Sequence, residues 1–384
     1  MSVQSVVTAQ VALAPEATWG VAPASGYVEQ PRVNWSVTLQ KEAYSSNRVQ
    51  ANRRIRFSRH GTRFVEGNYE DELSIGGQDL ILESALGGRF VAGATSTVTV
   101  DINSTGNTLT RTTGSWIADG FRSGLVVEIA NAAAPANNGR ARVVAVTSMV
   151  LTLDKAMSNA TADEIVISVV GKVLRDQAEK RSFAAQIAMT DLNQPLYFIQ
   201  SGLLVSQVTF NLAPNGISTL NATIVGRDEE RRTTPLDASV DPSPSGELLT
   251  TPEGELYLDG VLFARLTELT LEINNNISRR AVIGSNAIEN LNQGRLAVTG
   301  SLSALLDGEA LLERFDDETE FSLVLRLNAP NGTDFQSFVL PRVRLNGATK
   351  NLQGEDEVVV SGSIAVLESV ADDATIFIQS TAAI

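Results

Sequence analysis

The feature that most limits what this chain can fold into is that it matches itself. The stretch from Glu66-Gly67-Asn68-Tyr69 to Leu80-Ile81-Leu82-Glu83 aligns with Thr299-Gly300-Ser301-Leu302 to Ala310-Leu311-Leu312-Glu313. In each, a glycine opens a strand-like run, and a loop leads to a short helical pattern ending in Glu. Upstream, Trp35-Val37-Leu39 falls against Leu269-Leu271-Ile273, with a long polar segment before the glycine in both. Downstream, Phe321-Leu323-Leu325-Leu327 follows the second helix at once. Its counterpart Phe183-Ala185-Ile187-Met189 follows the first only after a long insertion. Beyond it, Ser218 to Ile224 and Val358 to Ile364 align without a gap.

The expected plan is therefore an N-terminal arm over residues 1–32 and an interrupted first domain over 33–93 and 172–228. A small inserted β module takes 94–171, and a linker or arm takes 229–260. A second domain over 261–370 and a C-terminal tail over 371–384 complete it. Apolar residues alternate with polar ones along most of this length, as half-buried strands require. Asn-Gly pairs at Asn138, Asn215, Asn331 and Asn346 read as turns. Two stretches read as helix: Asp79 to Leu86, stopped by Gly87-Gly88, and Glu309 to Phe315, with Asp307 as its N-cap. The expected fold class is mainly β: two tandem β-sandwich domains, each with one flanking helix, plus the inserted all-β module. In that module Trp116 and Phe121 are expected to form the core; the alternative is a carbohydrate-binding platform.

The chain has no cysteine and a single histidine, His60. That excludes disulfides, thiolate metal sites and cysteine nucleophiles, and leaves almost no room for a Ser-His-Asp triad. No phosphate-cradling glycine motif occurs. No cofactor and no enzyme activity are expected. With 44 acidic residues against 30 basic ones, the net charge of −14 argues against tight wrapping of nucleic acid. No apolar run is long enough to span a membrane, and no signal peptide is visible.

Two charge features stand out. Arg48, Arg53, Arg54, Arg56, Arg59 and Arg63 crowd one segment with no acid between Glu42 and Glu66. Contact with an acidic face of a neighbouring subunit is the preferred reading, because arginine's planar fork pairs with carboxylates. Nucleic-acid binding and a solvated hairpin are the alternatives. Glu70, Asp71 and Glu72, and Asp316, Asp317 and Glu318, are acidic clusters without the spacing of a calcium loop. They read as solvated surface or interface, with a metal site or acid–base work as the alternatives.

Thr18-Trp19-Gly20-Val21, the Arg/Gly-rich hairpin from Arg53 to Gly61, Gly67-Asn68-Tyr69-Glu70 and Leu82-Glu83-Ser84-Ala85-Leu86-Gly87-Gly88 together resemble the tail tube proteins of long-tailed bacteriophages. The likeness covers the first domain directly and the second through the self-match. It implies a structural virion protein, assembled in the bacterial cytoplasm, whose inner sheets join between subunits around a lumen. Rings would stack through hairpins and arms, and DNA would pass through without specific binding. The partners implied are other copies of the chain and other tail proteins such as the tape measure and terminator. Two domains per chain would close a pseudo-sixfold ring with three chains. The arginine hairpin would then bridge to the next ring, and the acidic clusters would be interface or lumen candidates. The residues alone leave open an adhesin or fibre module, a tube of a non-viral injection apparatus, and a hydrolase with a carboxylate pair.

Overall fold

A computed structural model describes residues 3–48, 54, 57–212, 216–306, 308–351 and 357–382. Arg53, Arg56, Asp307 and Asn215 lie outside the described residues. The fold is mainly β, with 52% of the chain in strands and 5% in helix. The principal strands of the first half are β1 (Gln10–Pro15), β2 (Thr38–Ser45), β3 (Ser58–Glu72), β4 (Phe183–Met189), β5 (Leu196–Leu212) and β6 (Thr219–Gly226), with helix α1 (Asp79–Leu86). Those of the second half are β7 (Gly254–Leu258), β8 (Leu266–Asn274), β9 (Ala297–Leu305), β10 (Phe321–Asn328), β11 (Phe335–Leu345), β12 (Thr349–Asn351), β13 (Val359–Val366) and β14 (Phe377–Ser380), with helix α2 (Ala310–Asp316).

One long antiparallel sheet runs through both halves in the order β2, β3, β6, β5, β8, β9, β13, then β11 with β12. Several pairings recur between the two halves. Gly67 of β3 lies opposite Ile224, and Gly300 of β9 lies opposite Ile364. A Cβ on Gly67 would stand 2.3 Å from the Ser36 carbonyl oxygen, and one on Gly300 2.3 Å from that of Thr270. Only glycine lets the preceding strand approach so closely. A bulge falls between Phe183 and Ala185 of β4, and another between Phe321 and Leu323 of β10.

Each half adds a second sheet. In the first, β1 pairs with β4, and β4 with the N-terminal part of β5, whose other edge takes Asp228–Arg232. In the second, β7, β10, β11 and β14 stand in line, followed by Lys172–Arg175 and Val91–Ala92. The core between the layers is continuous across the halves. It includes Val37, Tyr69, Leu82, Phe210, Leu271, Phe321 and Phe338, with the Phe210 and Phe338 rings 4.8 Å apart edge to face. Helix α1 closes one end of it with Ile81, Leu82, Ala85 and Leu86. Gly87, at φ 64°, ends the helix in the left-handed turn expected of it.

Six strands between Thr95 and Val169 close a separate barrel. Trp116 and Phe121 are fully buried there, ring centroids 5.2 Å apart, so neither offers a ligand platform. Although the barrel interrupts the first half in sequence, it packs on the second. Its core runs on into Val324, Val339, Ala374 and Phe377. Gln379 of β14 donates to the Val126 and Val170 carbonyls, both at 2.8 Å, and accepts from the Val126 N–H at 2.8 Å. The Arg142 guanidinium stacks 3.8 Å from the Tyr257 ring centroid.

Three expectations differ from this structure. The stretch expected as an exposed linker is packed: Asp228–Arg232 pairs with β5, Leu249 is buried and Gly254–Leu258 is β7. The expected C-terminal tail contains β14, whose four residues are buried, because its edges are claimed by β11 and by Lys172–Arg175. Asn346-Gly347 is not a hairpin turn. It interrupts a single edge, since β11 before it and β12 after it both pair with β13.

Candidate assembly interface

The period-2 alternation of the long sheet sends one set of side chains into the core and the other to its second face. Val65, Tyr69, Leu220, Ile224, Val208, Phe210, Leu269, Leu271, Val298 and Leu302 point inward. The alternate positions carry Asn68, Asn221, Thr223, Gln207, Thr209, Asn211, Thr270, Thr299, Ser301, Ser361 and Ser363. The ionisable residues among those alternate positions are Glu66, Glu70 and Glu72 on β3 and Glu268 and Glu272 on β8. This is a hydroxyl- and amide-rich face on which glutamates outnumber cations: Arg279 pairs with Glu66 at 2.9 Å, and Arg344 of β11, opposite Ala365, lies 3.3 Å from Glu318.

The predicted acidic residues divide between environments. Glu70 lies on this face and accepts from Asn221 Nδ2 at 3.0 Å; Glu72 shares the face. Asp71 points the other way and is buried. It accepts from the Tyr69 hydroxyl at 2.8 Å and from Gln78 Nε2 at 2.6 Å. Burial, followed by the Asp71 charge, raises the Tyr69 hydroxyl far above the ordinary tyrosine range, so it stays a donor. Asp316, Asp317 and Glu318 are exposed at the end of α2, far in the chain from the other cluster, with Glu318 3.3 Å from Arg344. Beside them Arg342 grips Glu320 through hydrogen bonds of 2.6 and 2.8 Å, which holds that carboxyl below its usual range.

The arginine segment divides too. Arg48, Arg54 and Arg59 are exposed on the hairpin joining β2 to β3. Arg63, at its base, instead pairs with Asp228 at 2.6 Å, and its backbone N–H donates to the Asn286 carbonyl at 2.8 Å. Thus the structure keeps Arg63 within the chain and leaves the other described arginines on the surface.

The segment from Asn275 to Leu296, between β8 and β9, is the self-match's counterpart of the arginine hairpin, and its course was not expected. It folds over the rim of the first half. Asn275 is buried and donates to the Ala85 and Val205 carbonyls at 2.8 and 2.9 Å. Ile288 and Leu291 bury themselves against Leu204, Val225, Phe64 and Trp19. Lys180 donates to Asn290 Oδ1 and the Leu291 carbonyl, both at 2.8 Å, with its ammonium 4.3 Å from the Trp19 ring centroid. Desolvation lowers the Lys180 pKa, partly countered by Glu16. The available signal was the pair of apolar residues, Ile288 and Leu291, inside an otherwise polar loop.

The halves meet through strand addition. Residues Gln207 to Leu212 of β5 pair with Asn274 to Leu269 of β8, Thr209 opposite Glu272. At the two ends of the same sheet stand β2, which pairs with β3 alone, and β12, which pairs with β13 alone, among the described strands. Unpaired strand edges are templates for another chain.

Among the described residues, no group of three or more His, Asp or Glu side chains is placed to hold a metal ion. The chain matches the family model described as phage tail tube protein over residues 7–368. No curated protein matches it.

Proposed function

The chain belongs to the phage tail tube protein family, and from that premise we propose that this structural protein of the virion tail polymerises into rings of three chains that stack as a conduit for DNA, with no catalytic role. The observation that carries the reading is the β5–β8 joint. Each half supplies equivalent strands, and the junction inside the chain, last strand of one set to first strand of the next, has its two partners again at the free ends. Carrying the internal register over places Thr349 of one copy opposite Thr38 of the next, and Lys350 opposite Val37. Head-to-tail addition then repeats one geometry six times around a ring of three chains. The second face of the sheet lines the bore. Its hydroxyls, amides and glutamates outnumber the cations on that face, where Arg279 and Arg344 are each paired with a glutamate, so little is left to hold DNA.

Native mass spectrometry of assembled rings should give three copies, and cryo-microscopy should show pseudo-sixfold symmetry. Lys350→Pro, which removes a donor from the open edge, should leave folded single chains. Six chains per ring, or rings undiminished in the proline variant, would overturn the arrangement.

A further inference from the structure

We infer that the basic hairpin between β2 and β3 docks into a cleft beside β9 and β13 of the neighbouring copy within the same ring. The inference rests on the ring reading above and names a second contact that the ring would make.

The chain contains its own precedent. The Asn275–Leu296 segment springs from β8, the strand added to β5, and lies over the rim of the half it has joined. Ala287 bridges to Arg63, while Ile288 and Leu291 fill the space beside Phe64 and Val225. The register places Leu296 to Thr299 and Ala365 to Glu368 of the second half where the first half has Arg63 to Glu66 and Val225 to Asp228. No described segment of the chain covers that second rim. A cleft of about 1000 Å³ opens there, lined by these residues together with Arg175, Asp176 and Asp373.

The hairpin from β2 is the segment that would reach it. It springs from β2, the strand that ring closure adds to β12, just as Asn275–Leu296 springs from β8. Its described part carries Tyr44 at 57% exposure and Phe57 at 58%, side chains of the size that Ile288 and Leu291 bury in the internal contact. Charge changes sign on the receiving side, while both incoming segments are basic. Lys180, which grips the internal segment, lies three residues before Phe183; three residues before Phe321 stands Glu318. The hairpin facing that position carries Arg48, Arg54 and Arg59, and Glu368 extends the acidic side, while Glu320 is held by Arg342. An acid thus replaces the lysine where the incoming segment is basic.

The test reverses charge on each side and then on both. Arg48→Glu with Arg59→Glu, and separately Glu318→Lys with Glu368→Lys, should each cut the yield of closed rings at low salt roughly tenfold, since several exposed pairs act together. The four substitutions combined should restore most of it. Circular dichroism melts of the unassembled variants, expected to match the parent, separate lost docking from lost folding. Hairpin variants that close rings normally would overturn the inference, and if those rings no longer stack, the hairpin's partner is the next ring. A parent chain that forms no rings would overturn the ring reading itself, so the two failures are distinguishable.

Discussion

Glu70, Asp71 and Glu72 are neighbours in sequence with two different fates. A strand turns alternate side chains to opposite faces, so Asp71 enters the core while its flanking glutamates face solvent. A buried carboxylate persists only with donors, and here the Tyr69 hydroxyl and Gln78 amide supply them, with Gln30 donating to the Tyr69 oxygen at 2.8 Å. Asp71→Ala should therefore lower unfolding free energy by about 1–3 kcal/mol, because it removes the acceptor shared by the buried Tyr69 hydroxyl and Gln78 amide, leaving them the Pro31 and Glu72 carbonyls. Glu70→Ala should stay within about 0.5 kcal/mol of the parent. Urea denaturation of the two variants decides it, and equal effects would show that the network does not hold the strand. The cluster was visible in the sequence, and alternation assigned its faces once the core side of β3 was known. That Asp71 has partners was not visible, since Gln78 comes from the loop after β3 and Gln30, which holds Tyr69, from the N-terminal stretch.

At the scale of elements, the inserted barrel is a module by topology and a part of the second half by packing. The insertion point between α1 and β4 was legible from the broken self-match. The docking site was not. Both ends of the insertion run into the second half's outer sheet, where Val91–Ala92 and Lys172–Arg175 lie beside β14. Lys172, almost wholly buried, pairs there with Asp79 at the start of α1, so the same strand ties the halves together. Excising residues 94–170 with a short Gly/Ser joint should uncover Val324, Val339, Ala374 and Phe377 and leave Gln379 without its barrel partners. The expected cost is on the order of 5 kcal/mol, with new binding of a hydrophobic dye. An excised chain as stable as the parent would show that the barrel contact contributes little.

For the whole molecule, the sign of the charge on the long sheet's second face matters more than the net charge. Glu70 and Glu272 stand on a face built mostly from hydroxyls and amides, where neither has an ion-pair partner among the described residues. Glu70→Lys with Glu272→Lys should make assembled tubes retain duplex DNA at low salt at least about tenfold more tightly than the parent. Retention should fall steeply as salt rises, because each phosphate contact releases counterions. Fluorescence anisotropy with labelled DNA measures this. Parent tubes that hold DNA equally well would remove the bore from this face.

The sequence by itself determined the β class, the succession of strands and helix along each half, the two matched glycines and the core of the inserted module. These follow from local periodicity and steric rules that act over a few residues. Only the tertiary structure decided that β8 adds to β5, that the barrel rests on the second half, and that Asn275–Leu296 covers the first half's rim. Those contacts join segments far apart in the chain. Backbone hydrogen bonds are the same whatever the side chains, so an exposed edge carries no sequence label naming its partner. The choice falls to shape, burial and charge once the halves are folded.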